Sequence, residues 1–120
     1  RAIRLKPDYA EAYCGRGLAK SGLGDYQGAI ADYTMAVGLK PDYAEAYNKR
    51  GIVKVTLEDH QGAVADLTKA IAQKPDYAEA YYGRGLAYLG LVQKDKALAD
   101  FMRAIELGYR VPQNILDMCK

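Results

Sequence analysis

The sequence is poor in the residues that carry chemistry. Among 120 residues there is one histidine and there are two cysteines. Cys14 and Cys119 stand far apart, and neither has a neighbour at CxxC or CxxH spacing. Metal and redox motifs are therefore lacking, and the two thiols read as reduced and structural. His60 has no positioned nucleophile or acid beside it in the pattern, so no catalytic role is expected. The glycine-rich stretch from Gly22 to Gly28 follows a helical pattern rather than a strand and lacks a Gly-Lys-Ser/Thr ending, which argues against a phosphate cradle. No apolar run approaches the roughly 20 residues that span a bilayer, and no apolar leader is visible. Neither sign of charge dominates: 17 basic residues face 15 acidic ones, a formal net charge of +2. No Lys/Arg cluster offers the basic face that nucleic acid requires. These absences predict a non-enzymatic chain with no cofactor, metal, nucleic-acid or membrane partner, and the lack of an export signal favours the cytoplasm.

What the sequence has is repetition. The heptapeptide PDYAEAY begins at Pro7, Pro41 and Pro75, a spacing of 34. Residues 10–43 and 44–77 share 20 of 34 identities without a gap. A period of this length fixes the architecture before any local detail does. Each repeat reads as two helices, over residues 9–23 and 26–37 in the first. Asp8, Asp42 and Asp76 stand three residues before Glu11, Glu45 and Glu79. This is capping-box spacing, worth about 1 kcal/mol per cap. Asp25 and Asp59 are expected to cap the second helices. Pro7, Pro41 and Pro75 close the preceding helix, because proline lacks an N–H and disfavours helix in the residue before it. A helix of about 14 residues is only about 21 Å long and marginal alone. The repeats must therefore bury their apolar stripes against one another.

The residues now resemble a family, the tetratricopeptide repeats. Its pattern is W-x2-L-G-x2-Y, then A-x3-F, then P. The first repeat offers Tyr13, Arg16-Gly17, Lys20, Ala29, Tyr33, Ala36 and Pro41. The second offers Tyr47, Arg50-Gly51, Lys54, Ala63, Leu67, Ala70 and Pro75. The third offers Tyr81, Arg84-Gly85, Tyr88, Ala97, Phe101 and Ala104, with Tyr109 where proline is expected. The resemblance implies an all-α fold, a right-handed α-solenoid of antiparallel helix pairs. Its parts would be the end of a preceding repeat (1–6), repeats at 9–42, 43–76 and 77–110, and a C-terminal capping helix (111–120). RAIRL at the start echoes RAIEL at 103–107, which reads as the last helix of an earlier repeat in a longer array. At the other end Ile115 takes the place of the motif tyrosines and Cys119 that of the glycines.

Gly17, Gly51 and Gly85 lie inside helices, where glycine costs about 1 kcal/mol; close helix approach would explain them. Where the motif has leucine this chain has Arg16, Arg50 and Arg84, and each second helix carries an aspartate: Asp32, Asp66 and Asp100. Pairing between packed helices is the expected arrangement, because a partly buried charge needs a partner. The alternative is that the arginines reach out to solvent.

The resemblance further implies that first helices line a concave face. The stripe pointing there would be Glu11, Cys14, Leu18 and Ser21, then Glu45, Asn48, Ile52 and Val55 with Lys49 beside them, then Glu79, Tyr82, Leu86 and Leu89. Cys14, Asn48 and Tyr82 differ between repeats, as do Ser21, Val55 and Leu89, while the framework is constant. Drift at tolerant positions would give the same variation. The stripe is apolar in its middle with Glu at one end, which suits a peptide with apolar side chains and a basic residue. Some members of the family bind acidic chaperone tails through a clamp of Lys, Asn and Arg. Here Cys14 and Leu18 occupy the Lys and first Asn positions, so that ligand is not expected. The functional expectation is a scaffold that holds a peptide or protein surface in its groove. Its alternative is end-to-end self-association into oligomers or filaments. A docking domain within a larger enzyme would look the same.

Overall fold

The computed structural model describes residues 7–120, with side chains from residue 9 onward. The expected end of a preceding repeat (1–6) and the Asp8 cap lie outside the described residues and side chains. Seven helices follow in order: α1 (Pro7–Gly22), α2 (Tyr26–Leu39), α3 (Ala44–Thr56), α4 (His60–Gln73), α5 (Ala78–Gly90), α6 (Lys94–Glu106) and α7 (Gln113–Asp117). There is no strand among the described residues. Helices pair within repeats, α1 with α2, α3 with α4 and α5 with α6. Repeats then join through α2 on α3 and α4 on α5, and α3 also packs against α5. The array measures 54 × 27 × 21 Å. It is an all-α solenoid of antiparallel helix pairs.

The second helices start as expected. Asp25 accepts the Gly28 N–H at 3.0 Å and Asp59 accepts the Gly62 N–H at 3.1 Å. The first helices correct the capping-box expectation. Tyr43 and Tyr77, not Asp42 and Asp76, occupy the cap positions, and no side chain caps either helix. The chain enters these helices one residue later than the spacing suggests. The Asp42 carbonyl accepts the Ala44 N–H in the turn (3.1 Å), and the helical ladder begins when Tyr43 accepts from Tyr47 (3.2 Å). Glu45 and Glu79 are thereby left in the first turn, where a negative charge complements the helix dipole. α2 and α4 end at Leu39 and Gln73, just before Pro41 and Pro75. The terminal helix α7 has five residues, none fully buried, with Ile115 and Leu116 half-buried.

The glycines mark where paired helices touch. A Cβ built on Gly17 would lie 2.8 Å from the Tyr33 ring, on Gly51 2.6 Å from Leu67 Cγ, and on Gly85 2.5 Å from the Phe101 ring. Tyr33, Leu67 and Phe101 are the large buried side chains of the three second helices, each at most 1 % exposed. Ala29, Ala63 and Ala97, one turn earlier on the same helices, are fully buried beside them.

Beside each glycine contact sits a two-toothed ion pair. Arg16, Arg50 and Arg84 each donate through Nε and Nη2 to the two oxygens of Asp32, Asp66 and Asp100, every distance being 2.8 Å. The pairing expectation holds and the arginines do not simply reach for solvent. Lys20 and Lys54 add contacts to Asp32 (3.3 Å) and Asp66 (3.1 Å). The aspartates are buried, and a carboxylate taken from water is tolerable only with such partners. Arg50 and Arg84 also reach across the repeat boundary, donating through Nη1 to Thr34 (3.0 Å) and Thr68 (3.1 Å). Hydrogen bonds from the Arg16 guanidinium, against the opposing cost of burial and with help from Lys20, hold the Asp32 carboxyl below its ordinary 3.8. A carboxyl with a depressed folded-state pKa contributes stability above its unfolded pKa and loses it as pH falls through the folded value.

Two outcomes follow. Gly51→Ala should lower the melting temperature, because overpacking of about 1–3 kcal/mol exceeds the about 1 kcal/mol gained in helix propensity. Gly15→Ala should raise it, since nothing lies within 4 Å of the added methyl. Thermal melts followed by circular dichroism decide this, and the reverse order would show that the glycine contact is not the tight one. In acid titration, stability should stay level above about pH 4 and fall below it. Asp32→Asn should start less stable at neutral pH and show a shallower acid decline; an unchanged slope would mean that the pair contributes nothing.

Candidate functional site

The expected stripe divides in two. Glu11, Leu18 and Glu45 are exposed, and Ser21, Lys49, Ile52, Val55, Glu79, Tyr82, Leu86 and Leu89 are half-buried. Cys14 and Asn48, by contrast, are buried at 6 % and 0 % exposure. These two do not present a reading surface, which corrects the expectation for their positions. The cause is the tyrosine that opens the next first helix. Tyr43 packs against the cluster containing Cys14. Tyr77 holds the same position in the next repeat and packs against the cluster of Ala63, Leu67, Ala70, Ala80 and Ala87. Burial is the main cause that pushes the Tyr77 hydroxyl up to about 12.

Ile52, Val55 and Thr56 of α3 face Glu79, Tyr82, Gly83 and Leu86 of α5 across a hollow of about 210 Å³, closed by Tyr109. Five residues of the stripe meet here: Ile52, Val55, Glu79, Tyr82 and Leu86. Tyr82 is held between rings, 5.7 Å from Phe101 and 4.9 Å from Tyr109 by centroid, distances at which aromatic pairs attract. Gly83 stands on α5 where α3 carries Lys49, and a Cβ there would lie 3.2 Å from Leu67 and 3.5 Å from Ile52. Sequence reasoning missed Tyr109, Thr56 and Gly83. The one signal for Tyr109 is its place where the motif has proline. A second hollow, of about 270 Å³, is lined by Tyr9, Ala12, Tyr13 and Arg16 on α1. Their counterparts Tyr43, Ala46, Tyr47 and Arg50 belong to the face that meets α2, so that hollow belongs to the stacking surface rather than the groove.

At the polar edge of the pocket, Glu79 Oε1 accepts the Asn48 amide at 3.1 Å and faces Lys49 Nζ at 3.7 Å. Asn48 thus positions the Glu79 carboxylate from beneath, while its own Oδ1 has no partner among the described residues. No group of His, Cys, Asp or Glu among the described residues could hold a metal ion, and no described helix is long and apolar enough to cross a membrane.

Burial raises the Cys14 thiol, and the half-buried Cys119 is raised more simply, by desolvation against the pull of Lys94. Maleimide should label Cys119 in the native protein and Cys14 only after denaturant is added. Equal native labelling, read by peptide mass, would show Cys14 to be open to the groove after all.

A family model described as TPR repeat matches residues 22–57 and 54–92, and one described as Tetratricopeptide repeat matches residues 78–107. No curated protein sequence matches the chain. Among solved structures, the chain is similar to the first TPR of Spaghetti (RPAP3) bound to the HSP90 peptide SRMEEVD, with a TM-score of 0.91, 25% identity, and coverage of 98% of this chain and 95% of that one. It is also similar to the second TPR domain of human RPAP3 in complex with the HSP70 peptide SGPTIEEVD, with a TM-score of 0.87, 25% identity, and coverage of 94% and 97%. MamA is 35% identical at a TM-score of 0.78, over 88% of this chain and 57% of that one. The threefold period, the glycine contacts and the matched family models agree: the chain belongs to the tetratricopeptide repeat family.

Proposed function

We propose that this chain is a non-enzymatic scaffold that holds an extended peptide, or a segment of a protein surface, in the groove between α3 and α5. The observation that carries this reading is the pocket of Ile52, Val55, Tyr82, Leu86 and Tyr109. It joins two repeats, has an apolar floor, and is rimmed by a fixed carboxylate. Buried aromatic and aliphatic anchors contribute most of the energy at such interfaces. Two relatives of nearly the same length were solved with a peptide bound, which supports a peptide-holding role for this chain. The framework is packed by Gly, Ala and paired Arg–Asp contacts that lie outside the groove, an arrangement that keeps the ordering cost of binding small. End-to-end self-association draws no support from these relatives.

The test is binding of pooled synthetic peptides to the parent, Ile52→Arg and Tyr82→Ala, with circular dichroism confirming that each variant keeps its helices. Each variant should weaken binding at least tenfold, the loss of about 1.4 kcal/mol that removal of a central anchor brings. Unchanged binding of every peptide by both variants would place the binding surface elsewhere.

A further inference from the structure

The groove carries an excess of negative charge along one line. Glu11, Glu45 and Glu79 hold the same position in α1, α3 and α5. Glu11 and Glu45 are exposed and form no ion pair among the described residues, while Glu79 has Lys49 at 3.7 Å. Lys49 is the single cation on the stripe, so three carboxylates face one ammonium. The Lys49 contact and the Asn48 amide both use Glu79 Oε1, which leaves Oε2 without a partner among the described residues. The acidic ends of SRMEEVD and SGPTIEEVD, bound by the relatives, would meet like charge here.

Resting on the groove reading, we propose that the occupant is a peptide combining one aliphatic or aromatic side chain with lysine or arginine. The apolar side chain sits among Ile52, Val55, Tyr82, Leu86 and Tyr109. The basic residues face the row of Glu79, Glu45 and Glu11. Packed helices lie about 8–10 Å apart, and an extended chain rises about 3.3 Å per residue. Basic residues about three apart would therefore meet successive carboxylates. Each exposed pair is worth about 1.5- to 5-fold in affinity. Charge here acts mainly on partner choice and on encounter rate, while the pocket supplies the anchor.

Two peptide pools with identical apolar positions test this, one carrying Lys and Arg, the other Asp and Glu. The parent should bind the basic pool more tightly, and the preference should shrink as salt is raised. Glu11→Gln combined with Glu45→Gln alters only exposed side chains, so the fold is retained. It should cut the preference by about two- to twentyfold. Equal or tighter binding of the acidic pool, still abolished by Ile52→Arg, would overturn the charge proposal and leave the groove reading standing. Binding of either pool that ignores Ile52→Arg would overturn the groove reading and this proposal with it.

Discussion

The close approach of two helices at a residue with no side chain sets the geometry of every repeat. Gly17, Gly51 and Gly85 admit the rings or branched tip of Tyr33, Leu67 and Phe101 to within a distance that a Cβ would forbid. The residue before each glycine is an arginine, and the residue before each large side chain is an aspartate. One contact therefore delivers both effects. When the large side chain seats on the glycine, the guanidinium and the carboxylate arrive opposite each other at 2.8 Å. Packing sets the distance and the ion pair sets the register. A slip along either helix would leave a buried carboxylate unpaired, which costs several kcal/mol.

This arrangement separates what builds the stack from what can read a partner. The framework residues face inward between paired helices. The groove residues face outward from α1, α3 and α5. The position occupied by Cys14, Asn48 and Tyr82 belongs to both. A tyrosine from the next segment covers it each time, Tyr43, Tyr77 or Tyr109. Cys14 and Asn48 are small enough to be sealed beneath that tyrosine. Tyr82 is not, and stacks on Tyr109 instead, so only in the third repeat does this position line an open pocket.

Much of the fold was legible because it is periodic. The glycines, the Arg–Asp pairs and the caps at Asp25 and Asp59 all follow from residue type at fixed spacing. The caps at Asp42 and Asp76 were misread because the capping-box spacing is a local pattern. Where the helix begins depends on how the preceding turn closes, and here the Asp42 carbonyl is used in that turn. The candidate site was half legible. Helical periodicity indicated the face, but burial of Cys14 and Asn48 depends on a side chain 29 residues further along the chain in each case, since 43 − 14 and 77 − 48 both give 29. Tyr109 was missed as a lining residue because it lies outside the helices whose periodicity defines the stripe.

The arginine that reaches back to the previous repeat ties neighbouring repeats together. Arg50 holds Asp66 in its own repeat and Thr34 in the one before; Arg84 does the same with Asp100 and Thr68. In the third repeat the threonine position is Met102, exposed at 48 %, which has no hydroxyl to accept such a bond. Arg16 shows 60 % of its side chain to solvent where Arg50 shows 16 %. In a chain whose repeats touch only their neighbours, stability is shared pairwise along the line, and opening starts where links are fewest. The central helices α3 and α4 are tied on both sides, α3 through Arg50 to Thr34 and α4 through Thr68 to Arg84. The groove draws one wall from α3 and the other from α5, so an occupant there would act as one more link between the second and third repeats.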